Sequence, residues 1–484
     1  MDFSPAALAK SLLPRVPLLG KTAITHTLGR TEQSGKWDLR TALVTSLIRS
    51  YLLDSPPQAV SKSQKASLKD PGIKGRVWIS KITMSPPAED DIRRSIFQII
   101  ESMKEPGEAE GGYREPEMVP VEAEWTGYRA AATKKSPELN ISEEEKYKEM
   151  MKEVASPTTI LYFHGGAHYL MDPASHRPTC KKLAKITKGR CLSVRYRLAP
   201  QNPFPSALID ALVSYLTLLY PPPGSLHDPV LPENIVFAGD SAGGNLCLSL
   251  LQTILQFQRR DLRPLFHGSS RSIPLPAGCA TASPWCDVTL SLPSHLKNAP
   301  FDYLPGRTTR PVDGIPYPPC EIWPSSPPRK AFYADDALLC HPLVSPVVAE
   351  SWEGSCPLYI AVGQELLSDE GKHVAAKARR QGVEVVFEEF EAMPHCFAMI
   401  FEGMEGSRRF FNGWGAFIGM VSGGDGNRKV ESKGSFVAAK TLKERPLEFE
   451  TLSELKDEEI KEFMREGARN MKTFEGDPLT ASKL

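Results

Sequence analysis

Ser241 stands at the centre of Gly239-Asp240-Ser241-Ala242-Gly243. A serine hydroxyl is a poor nucleophile at neutral pH. To attack a carbonyl it needs a base within hydrogen-bond reach, a partner that orients the base, and donors for the oxyanion that forms. A Gly-x-Ser-x-Gly supports such chemistry when a strand runs into it and a helix leaves at once. The serine then sits on a strained turn, and the two glycines leave room for strand and helix to approach. Here "NIVFA" precedes the pentapeptide and "NLCLSLLQTIL" follows it, so the context is present.

The oxyanion needs backbone N–H groups aimed at one point. "LYFHGGAHYL" offers them at the end of an apolar run upstream of the serine: Gly165 and Gly166 lack Cβ and can turn their amides inward. The amide of Ala242, at the start of the helix, is expected to be a third donor.

"HGGA", "YRLAPQNPFPSALIDA" and "GDSAGGNL" together resemble the hormone-sensitive-lipase-like family of α/β-hydrolases, over about Arg76 to Phe417. The resemblance implies a serine esterase with a cap built largely from N-terminal helices. Ala167 stands where many members have a third glycine, and His168 where they often have an aromatic residue.

In this fold the partners follow in the order serine, acid, histidine. Five histidines follow Ser241: His267, His295, His341, His373 and His395. Only His395 lies in a loop directly after a strand-like run near the end of the domain, in "EAMPHCF", which matches the family's catalytic segment. His373, mid-helix in "DEGKHVAAKARR", reads as a surface residue, and His341 follows a proline-rich stretch. "AVGQELLSDEGKH" resembles the family's acid segment, whose first acidic residue pairs with the histidine. That position is Glu365, where aspartate is usual. The rival is Asp369, which a helix start would favour without any catalytic role. Asp240 is expected to support the turn.

These residues need a rigid frame. From Thr158 onward short apolar runs ("TTILYFHGG", "RCLSVRYRL", "ENIVFAGDS", "AGCATASPW", "CPLYIAVGQ", "VEVVFEEF") alternate with helical segments ("SHRPTCKKLAKIT", "SALIDALVSYLTLL", "NLCLSLLQTILQF", "SDEGKHVAAKARRQ"). That rhythm predicts an α/β fold: a mostly parallel central sheet with helices on both faces. Residues 1–75 read as a helical cap, with Leu39, Leu43, Leu47 and Ile48 on one stripe. Residues 76–420 form the catalytic domain, interrupted at 293–328 by an irregular insertion holding ten prolines in 36 positions. Residues 421–484, with 25 charged residues in 64, read as a charged tail carrying one weakly amphipathic helix.

The chain has 484 residues, 41% hydrophobic and 24% charged, with Lys plus Arg and Asp plus Glu both at 58. Zero net charge gives no reason to expect a nucleic-acid partner. The longest uncharged apolar stretch, 241–258, is broken by Gly, Asn, Ser and Gln, so no membrane span is expected. Nine scattered cysteines without Cys-x-x-Cys suit reduced thiols in an intracellular compartment. No metal-ligand spacing or phosphate-cradling loop is present, and no cofactor or metal is expected. The chain ends Ser482-Lys483-Leu484, the peroxisomal import address read by a receptor. The expectation is therefore a peroxisomal hydrolase of carboxylic esters of small or medium apolar molecules. Acyl-CoA thioester hydrolysis or acyl transfer is the alternative. A non-catalytic binding relative is disfavoured by the presence of His395.

Overall fold

The computed structural model describes residues 12–105, 112–306, 317–422 and 430–473. Ser482, Lys483 and Leu484 lie outside them.

The apolar runs become strands because each is buried on both faces, as parallel strands covered by helices must be. In chain order the strands of the main sheet are β1 (Val77–Met84), β2 (Val121–Tyr128), β3 (Thr159–Phe163), β4 (Arg190–Arg195) and β5 (Ile235–Asp240). They continue as β6 (Gly278–Ala282), β7 (Leu358–Gly363), β8 (Val385–Phe390), β9 (Lys433–Val437) and β10 (Glu444–Pro446). Their spatial order is β1-β2-β4-β3-β5-β6-β7-β8-β9-β10. β2 runs antiparallel to β1 and β4, β10 antiparallel to β9, and the rest are parallel. One hydrophobic core gathers Trp125, Leu212, Phe237 and Leu250 on one face, and a second gathers Tyr162, Leu183, Tyr359 and Trp414 on the other.

The N-terminal helices are α1 (Val16–Thr27), α2 (Leu39–Leu53) and α3 (Val60–Ser67). The expected apolar stripe of α2 is not its buried face. Leu39 is exposed and Leu43, Leu47 and Ile48 are half-buried, whereas Thr41, Ala42, Thr45 and Ser50 are buried. Small side chains allow close approach, and hydroxyls make the contacts. Thr22 and Ser46 oxygens lie 3.1 Å apart, and Arg15 Nε donates to Ser50 Oγ at 2.9 Å.

The helices around the sheet include α4 (Asp91–Ser102), α5 (Glu143–Glu153), α6 (Pro173–Thr187), α7 (Ser206–Leu219), α8 (Ala242–Arg259), α9 (Ser368–Arg380) and α10 (Glu405–Ser422).

The segment read as a tail completes the fold. β9 extends the sheet beside β8, and α11 (Asp457–Asn470) buries Ile460 and Met464. Its polar outer face hides this from composition alone. Met464 is fully buried, so Met464→Ala is expected to cost about 2–5 kcal/mol, readable by denaturant unfolding. A tail without structure would show no change.

Candidate active site

The parallel strands set their carboxyl ends side by side, where open α/β sheets place their sites. Ser241 follows β5, Glu365 follows β7, His395 follows β8, and the His164-Gly165-Gly166 loop follows β3.

The turn at Ser241 is strained: φ is 53° and ψ −118°, and α8 begins at the next residue. Its tightness depends on glycine. A Cβ at Gly243 would lie 1.9 Å from the Phe163 carbonyl oxygen, and one at Gly239 2.6 Å from the carbonyl of Gly243. The Ser241 amide donates to Ala282 O at 2.9 Å, and its carbonyl accepts from Trp285 N at 3.0 Å.

His395 Nε2 lies 2.9 Å from Ser241 Oγ, and its Nδ1 lies 3.2 Å from Glu365 Oε2. With Nδ1–H donating to the carboxylate, Nε2 is left to accept from the hydroxyl. Glu365 is fully buried and its Oε2 also accepts from Ser283 Oγ at 3.0 Å. Burial pushes its carboxyl up, against the pull of His395. Burial favours the neutral imidazole of His395, but the Glu365 carboxylate bonded to Nδ1 opposes it, and the group stands well above its ordinary value.

Asp369 does not join them. It sits in the first turn of α9, as a helix-start acid would, and its Oδ2 accepts the Ser294 amide at 2.9 Å. His341 is buried and its Nε2 contacts Ile100 O at 3.0 Å. His373 is not a surface residue: it is fully buried, 2.8 Å from Asp457 Oδ1 of α11. The segment that hides it lies more than 80 residues on, beyond the reach of local sequence pattern. His267 occupies the turn of a small hairpin, and His295 lies buried 3.5 Å from Glu370.

One expected oxyanion donor is otherwise engaged. The Gly165 amide donates to Asp240 Oδ1 at 3.2 Å, so it is unavailable to a ligand. The same carboxyl oxygen accepts from Tyr162 Oη at 2.6 Å, and Asp240 also faces His176. His176, Tyr162 and His164 hold the Asp240 carboxyl below its ordinary range despite burial. Beyond Gly165 the backbone turns through three positive φ values, 111° at Gly166, 52° at Ala167 and 61° at His168. Among the described residues the amides of Gly166, Ala167 and Ala242 have no backbone acceptor. Ala167, which stands where many members have a third glycine and keeps the amide, therefore offers an N–H where Gly165 was expected to. His168, where an aromatic was expected, stacks on Tyr333 with centroids 3.6 Å apart and planes 6° apart. Burial lowers its imidazole to about 3, so it stays neutral.

Cys396 also escaped the sequence reading. Its Sγ lies 3.4 Å from His395 Nε2, and burial pushes its thiol up to about 11. It remains protonated at neutral pH and leaves the imidazole to Ser241.

The N-terminal segment contacts two loops of the site. Trp37 Nε1 donates to Ala392 O at 2.6 Å in the histidine loop, and Gln64 Nε2 donates to Tyr169 O at 2.9 Å in the glycine loop. No helix among the described residues is long and apolar enough to cross a membrane.

A family profile described as alpha/beta hydrolase fold matches residues 160–313 and 325–399. An acetyl-hydrolase of Streptomyces hygroscopicus is 31% identical over 266 residues, covering 55% of this chain and 76% of that protein. An esterase of Acinetobacter venetianus is 29% identical over 268 residues, covering 55% of this chain and 73% of that one. A solved esterase of the bacterial hormone-sensitive lipase (HSL) family overlays at a TM-score of 0.45 with 24% identity, covering 69% of this chain and 92% of that chain.

Proposed function

The chain belongs to the alpha/beta hydrolase fold family, and from that premise we propose that it hydrolyses carboxylic esters of small or medium apolar molecules through Ser241, His395 and Glu365. The observation that carries this is the 2.9 Å contact between Ser241 Oγ and His395 Nε2, backed by a buried carboxylate. The names of the relatives, acetyl-hydrolase and esterase, support an ester substrate.

The geometry supports the following steps. Ser241 Oγ attacks the acyl carbon as its proton passes to His395 Nε2, and Glu365 holds the imidazole in the required tautomer and steadies its charge. The amides of Gly166, Ala167 and Ala242 receive the oxyanion. The tetrahedral species collapses, the alcohol leaves with the proton from Nε2, and an acyl ester remains on Ser241. Water then gives a proton to Nε2 as it attacks the acyl carbon, and the second tetrahedral species collapses to the free acid as Nε2 returns that proton to Ser241 Oγ. A panel of p-nitrophenyl esters against acyl-CoA thioesters tests the substrate class. Selective turnover of thioesters would replace the ester reading with the thioesterase one.

The pH dependence follows from the base. His395 accepts a proton only when neutral, and Glu365 raises its pKa against burial. The acid limb of kcat/KM is therefore expected above the ordinary histidine value of about 6.5, with activity lost as pH falls through it. A profile flat down to about pH 5.5 would contradict a base in this environment.

Peroxisomal import through Ser482, Lys483 and Leu484 is proposed on the tripeptide itself. A fluorescent fusion at the N-terminus should co-localise with peroxisomes and become diffuse when the three residues are deleted.

A further inference from the structure

The proline-rich insertion begins with a strap, residues 294–302, formed by a one-turn helix (Ser294–Lys297) and a turn (Ala299–Phe301). The strap grips the loop that carries Glu365. Asn298 Nδ2 donates to Glu365 O at 2.9 Å and to Ser368 Oγ at 2.8 Å, and Ser294 Oγ donates to Leu366 O. At its end stands Asp302, a fully buried carboxylate that no step of the mechanism uses.

The two oxygens of Asp302 face two different loops. Oδ2 accepts the amide of Leu366, next to Glu365, at 2.8 Å. Oδ1 accepts the amide of His395 itself at 3.2 Å, together with the amides of Tyr303 at 2.7 Å and Leu304 at 3.2 Å. One side chain thus bonds the backbones of the acid loop and the base loop, which lie about 30 residues apart in sequence and leave from adjacent strands. The residue is itself anchored from the N-terminal helices. Arg49 of α2 donates from Nε to Asp302 O at 3.0 Å and from a terminal nitrogen to Ala299 O at 2.9 Å. Gln33 adds a bond to Pro300 O at 2.6 Å.

We propose that Asp302 is a positioning residue for the reaction: it fixes the spacing between the Glu365 and His395 loops, and Arg49 holds it in place from α2. The inference rests on the proposed roles of Glu365 and His395. It gives the insertion and the N-terminal helices a part in the chemistry beyond shaping a pocket. An isolated buried carboxylate is costly to leave without donors, and here four amides supply them. Neither Asp302 nor Arg49 touches the reacting atoms in this arrangement; both act through where they hold other groups.

Asp302→Asn tests this with little change of shape. The amide oxygen can still accept from His395, but the NH2 group opposes the Leu366 N–H, so the bridge breaks on the acid side. The expected result is a fall in kcat of about 10-fold with KM within about twofold. Asp302→Ala, which releases both loops, should lower kcat by about 100-fold. Arg49→Lys should give a smaller fall of the same kind. The far-downfield proton resonance of the His395–Glu365 hydrogen bond should shift or broaden in Asp302→Asn. That readout needs no turnover, so it separates failure of this inference from failure of the ester-hydrolase reading. A folded Asp302→Asn with wild-type kcat and an unmoved resonance overturns the proposal, as does a rise in KM alone. If both Asp302 variants fail to fold, Arg49→Lys decides: an unchanged kcat overturns the proposal, and a selective fall in kcat supports it.

Discussion

Ser241→Ala is expected to lower kcat by about 10⁶-fold, equivalent to about 8 kcal/mol of transition-state stabilisation, while leaving the fold intact. The size of the effect follows from what the hydroxyl does. Without Oγ no acyl-enzyme forms, and His395 and Glu365 have nothing to activate on the protein side. What remains is the binding energy and any amides facing the substrate. Folding should survive because the strain at the turn is held by Gly239, Gly243 and the backbone bonds of residue 241, none of which involves the hydroxyl. Steady-state turnover of p-nitrophenyl esters, with circular dichroism and a fluorophosphonate label as controls, checks it. A variant that hydrolysed esters at the wild-type rate, or that still took the fluorophosphonate label, would remove Ser241 from the mechanism.

Glu365→Gln is the second large effect, with kcat falling by about 10⁴-fold, near 5 kcal/mol. The glutamine can turn its NH2 toward Nδ1, which then holds the wrong tautomer and presents N–H instead of a lone pair to Ser241. The fall should exceed that of Asp369→Asn by orders of magnitude, because Asp369 bonds the Ser294 amide and only supports the strap. Comparing the two variants at matched stability separates the candidates for the acid. Equal losses would mean that the carboxylate near Nδ1 is not the partner that matters.

The core of the fold and the approach to the site could be read from the chain because their signals are local. The six apolar runs from Thr159 to Phe390 are short, buried and flanked by helical segments, so each announces itself. The Ser241 turn carries its own glycines, and the carboxyl ends of neighbouring strands meet by topology. What escaped depends on partners distant in sequence. β2 was missed because "VEAEWTGY" alternates carboxylates with apolar residues. Glu124 is nevertheless fully buried, neutralised by Arg177 on α6. α4 has a clear apolar face in Ile92, Ile96, Ile99 and Ile100, and this was legible but passed over. β9 is five residues in a charged stretch, and only its pairing with β8 identifies it. Gly165 looked like an oxyanion donor until Asp240 was seen to take its amide. No spacing rule could have revealed that bond. The same holds for Asp302, whose two loops are brought together only by the sheet.

The pairing of β9 with β8 also fixes when the protein becomes whole. Translation at about 5–20 residues per second completes β8 at residue 390 about 2–9 s before the strand at 433–437 begins to be made. Through that interval β8, which ends just before the histidine loop, has no neighbour on its outer side. An unpaired strand edge is where nascent chains are caught by chaperones or by one another. Ribosome-bound chains arrested before residue 430 should therefore recruit holdases that full-length chains shed.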